Sequence, residues 1–173
     1  MNFSVAKTKI IYKGDVIAGV IYLVIGLFAV ISAYVLYNIY DRLGLYYLAI
    51  GLAFFSMYMI GKGIVMIYLY YNRYMFYKNH DVISIEEIRG ERRFSRYRVL
   101  KKKKNRRRYI YTVVIGVIIA FGGIFHHEKG LIGATCIPII LMGAIEFSIG
   151  LMTEFRLGEY LKHLHKLSLL NNK

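Results

Sequence analysis

At 173 residues, of which 57% are apolar, with a mean hydropathy of +0.45, the chain carries more apolar sequence than a soluble domain of this size can bury; soluble domains run at about 45–50%. Lys and Arg outnumber Asp and Glu by 24 to 10, and the surplus is concentrated in a few segments. A single cysteine, Cys136, excludes an intramolecular disulfide and a paired-thiol metal or redox site. No phosphate loop, nucleophile elbow or acid pair is present, so the chain reads as non-catalytic and without a cofactor.

Lys7, Lys9 and Lys13 precede a first apolar stretch over residues 15–37. That stretch is longer than a signal-peptide core and lacks an Ala-x-Ala site, so it is expected to stay as a membrane span. A short turn near residues 38–44 leads to a second stretch over 45–71. The connector 72–108 follows, with fourteen Lys and Arg against four acids. A third stretch covers 109–125, a turn lies near 126–130, and a fourth covers 131–152. Each stretch approaches or exceeds the ~20 residues that a bilayer-spanning helix needs.

The two turns hold almost no net charge, Asp41 against Arg42 and Glu128 against Lys129, while every other flank is basic. By the positive-inside rule both termini and the connector are cytoplasmic and the turns face out. Trp is absent and seventeen Tyr take its interfacial place, with Tyr37, Tyr40, Tyr46 and Tyr47 at the outer edge and Tyr68, Tyr70, Tyr71, Tyr109 and Tyr111 at the inner one.

Small residues recur on single helical stripes: Gly19, Gly26 and Ala33; Gly44 and Gly51; Gly116 and Ala120; Gly143 and Gly150. In lipid, helices associate by close backbone approach past such residues, which predicts interhelical packing there. Pro138 removes a backbone donor from the fourth stretch and predicts a bend. The runs Ile21 to Gly26 and Ile110 to Gly116, with Phe55-Ser56 and Phe147-Ser148, suggest a parallel tandem repeat of one hairpin.

Two ions interrupt the apolar stretches. Lys62 falls seventeen residues into the second and Glu146 fifteen into the fourth, both descending from the outer side, so their depths differ by about 3 Å. An ion pair across the bundle, separate neutralisation of each, or a place on an ion or proton path all fit, because a lone charge at mid-membrane costs ~2.5–3.5 kcal/mol on insertion scales.

In the connector, Ser84 and Glu87 have capping-box spacing, which predicts a helix start there. The basic patch follows: Arg92, Arg93, Arg96, Arg98, Lys101, Lys102, Lys103, Lys104, Arg106, Arg107 and Arg108. Such a run beside a span attracts anionic lipid at about 1 kcal/mol per residue. Nucleic acid or an acidic protein would use the same charges, without a folded reader in the connector. The tail 154–173 has Leu157, Tyr160, Leu161, Leu164 and Leu167 on one face, predicting an amphipathic helix on the inner surface.

Neither Glu159 with His163 and His165 nor His126-His127-Glu128 makes a strong metal site. Arg156 and His163, separated by six residues, resemble in that pair alone the Arg-x4-6-His signature of HEPN ribonucleases, some of which resemble membrane-linked accessory proteins of prokaryotic defence systems. Leu157 replaces the polar residue usual after that arginine, and two residues assign no family.

The predicted fold class is all-α: an integral membrane four-helix bundle of two tandem helical hairpins, 1–71 and 109–153, with the cytoplasmic basic connector 72–108 and the amphipathic tail. The expected role is a non-catalytic, multi-pass, oligomeric or accessory subunit in a prokaryotic cytoplasmic membrane, partnered by anionic lipids and by other copies or membrane subunits. The alternative is a small oligomeric channel or transporter using Lys62 and Glu146, such as a membrane effector of a defence system.

Overall fold

A computed structural model describes residues 3–4, 6–39, 43–80, 82–123, 125–126 and 129–170. Four long helices make up nearly all of it: α1 over Ala6–Ile39, α2 over Leu43–Asn79, α3 over Ile85–Gly123 and α4 over Lys129–Leu170. A two-residue antiparallel pairing, β1 (Phe3–Ser4) with β2 (Val82–Ile83), ties the N-terminal segment to the α2–α3 link. The expected turn residues Tyr40, Asp41, Arg42, His127 and Glu128 lie outside the described residues.

Three helices, α1, α2 and α4, are long and apolar enough to cross a membrane. The apolar part of α3, from Tyr109 to Gly123, has 15 described residues, about 22 Å of helix against the ~30 Å of a hydrocarbon core. About a third of the best apolar window of each candidate span is buried in the bundle, and side chains such as Ile31, Phe54, Met57 and Ile118 stand outward. A membrane-embedded surface has this character, since lipid contacts apolar side chains at no desolvation cost.

Small residues set the close approaches. At Gly63 an added methyl would sit 2.8 Å from the Gly19 carbonyl oxygen of α1. Between α2 and α4 one at Gly44 would lie 3.3 Å from the Gly130 Cα, and one at Gly51 would lie 2.9 Å from Pro138 Cγ. Gly116 and Gly143 serve α3 and α4 in the same way, against Ile140 and Val113. Gly150, on the expected stripe, faces open space. Pro138 sits inside α4 without ending it. The hairpins α1–α2 and α3–α4 meet mainly along α2 and α4.

Two expected segments are built differently. The connector is not a separate soluble piece: α2 runs on to Asn79, and α3 starts at Ile85 and continues unbroken through the basic run into the third apolar stretch. The capping box explains the start. The Ser84 amide donates to Glu87 Oε2 at 2.7 Å and the Glu87 amide to Ser84 Oγ at 3.3 Å, which satisfies two of the orphan amides of the first turn. The tail is not a surface helix either, because α4 runs without a break to Leu170. Its apolar face is covered by protein: Leu157, Tyr160 and Leu164 pack with Ile11, Tyr12, Tyr77 and Ile88 in a core drawn from all four helices. At ~1.5 Å per residue these helices, of 34 to 42 residues, are about 50–63 Å long, longer than the ~40–45 Å of a bilayer with its headgroups.

Candidate functional site

Sequence pattern places polar groups inside α3 through one stripe. Ile88, Glu91, Ser95 and Arg98 are buried at spacings of three, four and three, one face of an α-helix. The acids of α1, α3 and α4 meet bases from other helices along that face and its continuation toward mid-bundle, giving three linked polar clusters.

The cluster nearest mid-bundle joins the two ions that interrupt the apolar stretches. Lys62 Nζ of α2 donates to Glu146 Oε1 of α4, and the Tyr58 hydroxyl donates to the same oxygen at 3.0 Å. The ammonium also lies 4.8 Å from the Tyr22 ring centroid and 5.6 Å from that of Tyr58, a cation–π enclosure that partly replaces lost hydration. Glu146 is fully buried while Lys62 keeps 22% of its side-chain exposure. Glu146 Oε2 and the Tyr22 hydroxyl make no close hydrogen bond among the described residues, but the Tyr22 and Tyr109 hydroxyls both face Glu146, so phenols surround the carboxylate. Gly63 lets α1 approach beside Lys62, whereas Gly61 faces open space.

Toward the basic end, Arg98 Nη2 donates to Asp15 Oδ2 at 2.7 Å and its guanidinium lies 4.5 Å from the Tyr70 ring centroid. Arg156 Nη2 stands 3.8 Å from Asp15 Oδ1. Between this pair and Lys62–Glu146 lies the half-buried Lys102. Burial, and then the positive charge of Lys62, hold its ammonium below the ordinary lysine range. Arg106 donates to both Glu154 oxygens at 3.3 and 3.2 Å.

The third cluster centres on Glu91. Tyr12 donates to its two oxygens at 2.9 and 2.8 Å, and Tyr77 to Oε1 at 2.8 Å. Arg73 Nη1 donates to the Tyr12 oxygen at 3.1 Å and stands 3.5 Å from Glu91 Oε1, its guanidinium 4.0 Å from the Phe94 ring centroid. Thr8 and Tyr160 share a 2.8 Å hydrogen bond nearby. On the turn side of Glu146 the interior is apolar: Phe55 and Met59 are buried, and the buried Ser56 hydroxyl bonds to its own helix at Ala53. The polar strip is therefore closed at that end within one copy.

Comparisons with protein families, curated proteins and solved structures find no match. The site rests on its own geometry. The sequence singles out Lys62 and Glu146, and the structure brings them together. It divides the basic patch: Arg98, Lys102 and Arg106 turn inward, while Arg92, Arg93, Arg96, Lys101, Lys103, Lys104, Arg107 and Arg108 are exposed. Sequence reasoning passes over Asp15, Tyr12, Tyr77 and Glu91. The signal was an acid on an apolar helix and the three-four-three spacing from Ile88 to Arg98. Arg156 is turned onto α1, in a groove that does not include His163. Among the described residues no three metal-ligating side chains converge, and Glu159 is engaged by Lys162 at 2.9 Å.

Proposed function

We propose that the chain is a non-catalytic, multi-pass membrane protein, an oligomeric or accessory subunit that holds the basic face of α3 against the anionic headgroups of the cytoplasmic leaflet. In this reading all four helices cross, with both ends and the α2–α3 link in the cytoplasm. The short apolar part of α3 completes its crossing because the exposed Arg107 and Arg108 can snorkel along their own stems.

One observation carries the reading. Eight of the eleven bases of the patch are exposed on a helix that continues directly into an apolar stretch. The helix holds the exposed bases nearest the apolar stretch, Lys103, Lys104, Arg107 and Arg108, within about 9 Å of its start, where each contributes about 1 kcal/mol before screening. The test is the lipid composition of polymer-extracted full-length protein. Anionic lipid should be enriched over the bulk membrane, and changing Lys103, Lys104, Arg107 and Arg108 to Gln should remove most of the enrichment. Equal enrichment in both proteins contradicts the reading. Particle mass in the same sample separates a homo-oligomer from a complex with unrelated subunits.

A second reading, a small oligomeric channel or transporter, draws on Lys62 and Glu146 and on the Tyr22, Tyr58 and Tyr109 phenols around that carboxylate, since ionisable groups within apolar spans commonly mark ion or proton sites. It needs a second copy to open the apolar turn-side half. Proteoliposome flux lost in Glu146→Gln, with the fold intact, would support it.

A further inference from the structure

Between α1 and α4 lies a groove of about 340 Å3, apolar along Ile17, Ala18, Ile149 and Met152 and headed by Arg156. We infer that this groove binds one anionic phospholipid, its acyl chain along Ala18 and Ile149 and its phosphate on the Arg156 guanidinium. The inference rests on the membrane reading above, but concerns a different face from the basic patch of α3.

Level, seating and charge support it. Arg156 lies two residues beyond Glu154, which Arg106 of the antiparallel α3 grips, and Arg106 belongs to the run of bases where the apolar part of α3 ends. The guanidinium thus stands where apolar surface gives way to charge, the level of a headgroup. It is seated over Gly14, where an added methyl would overlap Arg156 Nη1, so the bare backbone of α1 makes room for it. Its acid neighbour Asp15 is 3.8 Å away and already gripped by Arg98 at 2.7 Å, which leaves most of the five Arg156 donors for an outside acceptor. Arg156 keeps 32% of its side-chain exposure while Asp15 keeps 1%. The groove therefore shows a lipid a cation and no accessible carboxylate to hold a choline or ethanolamine group. A fork of N–H donors matches phosphate oxygens in pairs, and apolar walls open to the bilayer suit a chain rather than a free ion.

The experiment uses full-length protein, delipidated in mild detergent and titrated with phosphatidylglycerol, phosphatidylcholine or inorganic phosphate, with bound molecules counted by native mass spectrometry. One phosphatidylglycerol per chain should bind about tenfold or more tighter than phosphatidylcholine, the preference that one well-made charged hydrogen-bonding contact gives. Arg156→Gln should abolish that preference. Gly14→Ala should weaken it while keeping the charge, because the methyl meets only the flexible end of Arg156; it carries the test if Arg156→Gln does not fold. Wild-type preference in both variants, equal affinity for the two lipids, or saturation by inorganic phosphate alone overturns the site. Release of the protein from membranes by alkaline carbonate would instead overturn the membrane reading.

Discussion

The two ends of this bundle are held by different physics. At the turn end, helices meet through Gly44 against Gly130 and Gly51 against Pro138, with no buried ion among the described residues there. At the basic end they are joined by side chains reaching between helices, Arg98 to Asp15, Arg73 to Glu91 and Arg106 to Glu154. Around these links lies a core of Ile11, Tyr12, Tyr77, Leu157 and Leu164 like that of a soluble bundle. Packing against lipid rewards close backbone contact, because exposure of apolar side chains there carries no hydrophobic penalty. Beyond the bilayer water is available, so burying apolar area is rewarded and charged links can be assembled while solvated.

The contrast breaks most sharply at Asp15. Asp15→Ala leaves Arg98, itself 7% exposed, buried and uncompensated, and should lower stability in detergent by about 3–5 kcal/mol. Adding Arg98→Met should recover much of that, as measured by denaturant unfolding followed by circular dichroism. Simple additivity would show that the two residues do not interact.

Lys62 and Glu146 come next. Lys62→Met should cost about 2–3 kcal/mol, less than a fully dry pair because the ammonium is 22% exposed, and the Lys62→Met, Glu146→Leu double variant should regain most of it. A double variant that is stable but inactive in a cellular assay would assign the pair to conduction rather than folding.

Glycines sharpen the comparison on the packing side. Gly63→Ala meets the Gly19 backbone oxygen, which cannot move aside cheaply, and should cost about 1–3 kcal/mol. Gly61→Ala meets nothing within 4 Å and should be neutral or stabilising by up to about 1 kcal/mol through helix propensity. Equal effects would remove the small-residue account of α1–α2 packing.

The smallest effect is at Lys102. Its lowered ionisation range means that the unfolded chain binds the proton more readily, so stability should rise with pH between the folded and unfolded ranges of this lysine. Lys102→Met should remove that pH dependence and raise stability at neutral pH by roughly 1 kcal/mol. Unchanged pH dependence contradicts the burial.

The sequence made the four helices, the Ser84 cap and the similar depth of Lys62 and Glu146 legible, because each depends on local spacing along a helix, while it left open whether the two ions pair. It hid the destination of the ends. The tail's apolar face suits a membrane surface and a protein core equally well, and only the position of Tyr12, Tyr77 and Ile88 decides between them. Arg98 reads as one of eleven like charges until Glu91 and Ile88 are seen on its stripe. Which of the four neighbouring lysines, Lys101 to Lys104, turns inward depends on helix rotation, and a run of like bases does not encode that.

The central claim is that the basic half of the bundle lies in the cytoplasm and that all four helices cross. Single cysteines at Asn38, Phe125 and Tyr97, each exposed, in a chain with Cys136→Ala, test it in intact cells with a membrane-impermeant maleimide. The account predicts labelling at Asn38 and Phe125, and at Tyr97 only after the membrane is opened. Labelling at Tyr97 in intact cells, or opposite behaviour at Asn38 and Phe125, would contradict it.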